Sequence, residues 1–111
     1  MKTVINNSIS KGSRYTIKAT RCQDGSTVAS YLFTTPNTSE VQTRPRPCRT
    51  EREAVFSALE CLYRDVQARI FQLDRNDERY RWEIPFLRRM AARILKDCEK
   101  YDPRQLELWA D

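Results

Sequence analysis

The spacing of apolar residues changes period along this chain, and the change separates a strand-forming half from a helix-forming half. Residues 14–22 and 27–34 are rich in Thr, Val, Ile and aromatics, the residue types that fit a pleated, half-buried surface. Between them stands Gln23-Asp24-Gly25-Ser26. Asp-Gly favours a two-residue type I′ turn, in which both central residues take positive φ. That turn predicts pairing of Arg21 with Val28, Ala19 with Ser30, Ile17 with Leu32 and Tyr15 with Thr34. One face then carries Tyr15, Ile17, Ala19, Val28 and Leu32 as the core. The other carries Lys18, Thr20, Tyr31 and Phe33. A lone hairpin is marginal in water, so a third strand is expected from 39–43 or from 3–5.

After the hairpin, 35–49 is punctuation. It ends in Arg44-Pro45-Arg46-Pro47-Cys48-Arg49, whose prolines favour extended backbone and cannot donate to a ladder. A helix follows. Thr50 with Glu53 three residues on forms a capping box, and Val55, Leu59, Leu62, Val66, Ile70 and Leu73 recur at steps of three or four, widened by Phe56 and Tyr63. Residues 74–83 are polar with two aromatics and read as a loop or a solvated first turn. Pro85 suits the first turn of a second helix starting near Ile84. Leu87, Met90, Ala91, Ile94, Leu95 and Cys98 form its predicted apolar stripe, and Pro103 ends it. The expected fold is α+β: a small antiparallel sheet, a hairpin plus a third strand, packed against two helices on one face. It forms a single domain over 1–103, with 1–13 a loose arm and 104–111 a C-terminal tail.

A chain of 111 residues, 40% hydrophobic and 32% charged, is long enough for one core without disulfides or metal. No stretch approaches the roughly 18 apolar residues of a membrane span, and the first residues lack an apolar signal core. A cytoplasmic protein without a membrane partner is the expectation. The net charge of +5 is uneven: residues 1–50 hold eight Lys/Arg and two acids, residues 51–111 twelve Lys/Arg and thirteen acids. This bias favours an anionic partner.

Catalysis finds little support. The chain has no histidine, the commonest general base, and its two glycines exclude a Gly-rich phosphate loop. Cys22, Cys48, Cys61 and Cys98 are scattered rather than paired at zinc-ligand spacing, so reduced thiols, no metal and no cofactor are expected. Two basic surfaces are candidates for nucleic acid. One is the hairpin face with its Arg-Pro segment: Lys18, Tyr31, Phe33, Arg44, Arg46 and Arg49, where aromatics beside cations suit stacking on bases. Burial of Tyr31 and Phe33 beneath a helix is the competing reading of the same residues. The other is the basic side of the second helix: Arg88, Arg89 and Arg93, continued by Lys96 and Lys100, which equally describes a solvated face.

The tail carries the sharpest motif. Gln105-Leu106-Glu107-Leu108-Trp109 resembles the bacterial sliding-clamp-binding peptide, with its Gln-Leu-x-Leu-aromatic order and usually Phe in the last place. The resemblance covers five residues. It implies a tail that docks in a hydrophobic pocket of the clamp, Gln105 at the rim, Leu106 seating the peptide, Leu108 and Trp109 filling the cavity. Folding of Leu106, Leu108 and Trp109 onto the protein's own core is the alternative. The expected function is a small non-catalytic binding protein of bacterial or phage DNA metabolism that docks a protein partner through this tail. Two other classes compete: a mobile-element inhibitor of a host nucleic-acid enzyme, and a direct nucleic-acid binder.

Overall fold

A computed structural model describes residues 2–10, 12–36, 38–43, 47–76, 78–102 and 104, with the backbone alone for 38–43 and 76. The fold is α+β. Four antiparallel strands, β1 (Lys2–Ser10), β2 (Ser13–Arg21), β3 (Thr27–Thr35) and β4 (Thr38–Thr43), lie in sequence order as a meander. They are followed by helix α1 (Glu51–Asn76), a short 3-10 helix (Glu78–Glu83) and helix α2 (Ile84–Tyr101). Both helices cover one side of the sheet, α1 along β3 and β2, α2 across β2 and β1.

Both candidate strands form, so the sheet has one strand more than expected, and the segment read as a loose arm is its first strand. Register shifts between Thr3 and Ile5 and between Ser8 and Ser10 insert Val4 and Ile9 as extra residues, and both pack against the core. These bulges interrupt the period of two that marks a strand in sequence, and they twist an exposed edge away from further pairing.

The hairpin exists, but its register differs from the expectation by one residue. Cys22 N–H donates to Ser26 O at 2.7 Å and Gly25 N–H to Cys22 O at 3.1 Å. The loop is therefore the three residues Gln23-Asp24-Gly25, a turn followed by a left-handed glycine. Gly25 has φ +88°, and among the described residues no non-glycine takes positive φ, which excludes type I′ at Asp24. The Asp24 carboxylate instead accepts the Ser26 N–H at 3.0 Å and hydroxyl at 2.6 Å, the local bond that Asp makes when it stays out of the left-handed region. Arg21 thus faces Thr27, Ala19 faces Ala29, Ile17 faces Tyr31 and Tyr15 faces Phe33. A slip of one residue exchanges the two faces of a strand. Tyr31 and Phe33 are core, whereas Val28 and Leu32 are half-buried on the open side.

The core lies between the sheet and the helical pair. Tyr15, Ile17 and Phe33 from the sheet meet Val55, Leu59, Leu62, Val66 and Leu73 of α1 and Leu87, Met90 and Ile94 of α2, all fully buried. Thr50 caps α1 as expected, accepting the Glu53 N–H on Oγ1 at 3.1 Å. The ladder beyond β4 resumes at one bridge, Cys48 opposite Thr27. The polar stretch before α2 is the 3-10 helix, which buries Glu83 at the start of α2, where the helix dipole favours a carboxylate. Leu95, placed by sequence on the buried stripe, is 45% exposed. It lies on the outer side of α2, whereas Asp97, two residues on and across the helix, is buried against the sheet.

Candidate binding surfaces

Asp97 is buried because two sheet residues reach it. Tyr15 donates its hydroxyl to Asp97 Oδ2, and Asn7 Nδ2 donates to the same oxygen at 3.0 Å and to the Tyr15 hydroxyl oxygen at 2.9 Å. Burial, and then the Asp97 carboxylate, push the Tyr15 phenol well above its ordinary value, so it stays a neutral donor. On the other helix, Tyr31 donates to Asp65 Oδ2 at 2.5 Å. Each helix is thus tied to the sheet by one tyrosine. Arg52 joins the helices where the start of α1 meets the end of α2: its guanidinium donates to the Lys100 carbonyl and lies 5.8 Å over the Tyr101 ring.

These ties leave three surfaces. The first is the open side of the sheet, where Asn6, Arg14, Thr16, Lys18, Ser30 and Leu32 line a shallow depression of about 510 Å³. Lys18 belongs here, as expected. Tyr31 also borders it, but the register turns its ring and that of Phe33 to the helices, leaving both buried, so the anticipated basic and aromatic hairpin face does not form. Arg49 is exposed beside Thr50, next to the hairpin loop. Arg44 and Arg46 lie outside the described residues.

The second surface is an open groove of about 560 Å³ on the outer side of the helical pair, with Phe56, Tyr63, Leu95 and Cys98 along it and Arg104 at one end. Burial, followed by Glu60 and Asp97, pushes the Cys98 thiol up to about 11. It is therefore protonated near neutral pH and serves as a small apolar group rather than a nucleophile. All four cysteines are free thiols.

The third surface is the outer side of α2. Arg88, Arg89, Arg93, Lys96 and Lys100 are all exposed, and none enters an ion pair among the described residues. At its head stand two aromatics that sequence reasoning left unassigned. Trp82, 49% exposed, meets Phe86 edge-to-face at 6.2 Å, and the Arg89 guanidinium lies 5.2 Å over the Phe86 ring. The spacing of 82, 86 and 89 was a usable signal, hidden because 74–83 read as a loop. Gln105, Leu106, Leu108 and Trp109 lie outside the described residues.

Among the described residues no group of three or more metal-binding side chains converges, and no helix is long and apolar enough to cross a membrane. Compared with known proteins, the chain matches no family model, no curated protein and no solved structure.

Proposed function

We propose that the chain is a small non-catalytic binding protein of bacterial or phage DNA metabolism that docks a protein partner, the sliding clamp foremost, through Gln105, Leu106, Leu108 and Trp109. The observation that carries this reading is the Gln-Leu-x-Leu-aromatic order standing directly after the last packed helix. α2 ends at Tyr101, and the Asp102 backbone is extended at φ −61°, ψ 117°. The Asp102 carboxylate accepts the Arg104 N–H and guanidinium, each at 2.9 Å, which holds that carboxyl below its usual range. α2 is therefore closed before the pentapeptide begins, and the backbone is helical again at Arg104. Leu108 and Trp109 bring the large apolar area that anchors such peptides, and Trp is a favoured hot-spot residue.

Titration calorimetry of the full chain against purified sliding clamp tests the reading. The expected result is saturable binding that the double substitution Leu108→Ala, Trp109→Ala abolishes while the thermal midpoint stays within a degree or two. No binding by the native chain, together with a strongly lowered midpoint for the double variant, would assign these side chains to the protein's own core.

A further inference from the structure

The outer side of α2 is built as a continuous stripe. Phe86, Arg89, Arg93, Lys96 and Lys100 follow one another at steps of three or four, the spacing that keeps residues on one helix face, and Trp82 of the preceding 3-10 helix meets Phe86 at its head. Arg88 flanks them. An 18-residue helix is roughly 27 Å long at about 1.5 Å per residue, so the cations form a track with aromatics at one end.

Two features make this track unusual for a solvated helix. The acids that would neutralise it are turned inward: Asp97 is bonded to Tyr15 and Asn7, and Glu83 is buried. Glu99 is the one acid exposed on α2, against five exposed cations. Moreover, Trp82 keeps about half of its surface in solvent although an indole is among the side chains most stabilised by burial. Phe86 meets the indole edge-to-face, with Arg89 over the Phe86 ring, and about half of the indole stays open.

We propose that this stripe binds single-stranded nucleic acid, a base stacking on Trp82 while Arg88, Arg89, Arg93 and Lys96 meet successive phosphates. Cations alone would accept any polyanion. The exposed ring at the head of the track selects a strand whose bases are unpaired, because a duplex keeps its base faces covered. This mode is indifferent to sequence: stacking needs only a π-face, and phosphates carry no sequence information. The inference stands on α2 and does not depend on the tail.

The test uses the full chain carrying Trp109→Phe, so that Trp82 is the only indole, titrated with a fluorescein-labelled 20-nucleotide oligo-dT at several salt concentrations. Binding is expected to weaken with salt at a slope of about −0.7 per phosphate neutralised and to quench the indole emission. Charge reversal at Arg88, Arg89 and Arg93 should lower affinity at least about tenfold and flatten that slope. Trp82→Ala should lower affinity roughly 5- to 100-fold, the loss of one stacked base. Arg14→Ala with Lys18→Ala, on the open sheet, should change it less than about twofold. Unchanged melting midpoints in the two charge variants keep the comparison one of binding. The proposal is overturned if the native chain does not bind, if duplex or polyglutamate binds as well as oligo-dT, if the indole is not quenched, or if the loss follows Arg14 and Lys18. Loss of clamp binding with oligo-dT binding intact would affect only the tail reading, and the converse only this one.

Discussion

Tyr15 of β2 donates its hydroxyl to Asp97 of α2, 82 residues away in the chain. A phenol and a carboxylate, both unfavourable to bury alone, satisfy one another with Asn7 as the third member. The bond fixes the rotation of α2, since Asp97 must face the sheet and the residues on the other side of the helix must face solvent.

Removing one member leaves the other buried without its partner, so Asp97→Ala should destabilise the fold by about 1–3 kcal/mol. Tyr15 also makes the fold sensitive to alkali. Its folded value is raised above the ordinary phenol value of 10.0, so its contribution is fully present below about pH 10 and is lost as pH rises from there towards the folded value. Thermal midpoints between pH 8 and 12 should fall steeply above 10 in the native chain and less steeply in Tyr15→Phe. Equal slopes would remove the phenol from the account.

Gly25→Val should cost about 1–2 kcal/mol, the penalty of a left-handed conformation for a side-chain-bearing residue. A Cβ at Gly25 meets nothing within 4 Å, so the loss is one of backbone conformation alone. Asn, which tolerates that region, should recover part of it. A denaturation midpoint equal for Gly, Asn and Val would contradict the turn.

The hairpin register can be read from two neighbours. Phe33→Ala should lose roughly 3–5 kcal/mol, since its ring is fully buried and leaves a cavity. Leu32→Ala, on the open side, should lose clearly less. Chemical denaturation that ranks them in the reverse order would restore the type I′ pairing.

Thr50→Ala should lower stability by about 0.5–2 kcal/mol through the lost bond to the Glu53 N–H. Leu62→Ala should cost roughly 2–5 kcal/mol. Hydrogen exchange would separate the two effects: the cap variant should fray only the first turn of α1, whereas the core variant should raise exchange throughout.

The sequence alone determined the parts of this protein that depend on local spacing. A capping box, a run of apolar residues at helical steps and a proline in a first turn placed α1 and α2, since each signal acts within one or two turns of its own backbone. The existence of the 14–34 hairpin and the α+β class were legible for the same reason. The β3 face was not. Asp24 could join a two-residue or a three-residue loop, and the choice moved Tyr31 and Phe33 from a candidate binding face into the core. Burial of two aromatic rings under α1 outweighs a turn preference of lesser energy. Two bulges hid β1, because alternation is lost wherever a residue is inserted. On α2, an aspartate at a stripe position read as a surface charge, and only the approach of Tyr15 and Asn7 made it interior. Among the described residues, no carboxylate forms an ion pair with Arg93 or its neighbours. The positive face of α2 therefore arises in a chain half whose summed charge is slightly negative, because charge adds along a sequence while only its exposed part acts on a partner.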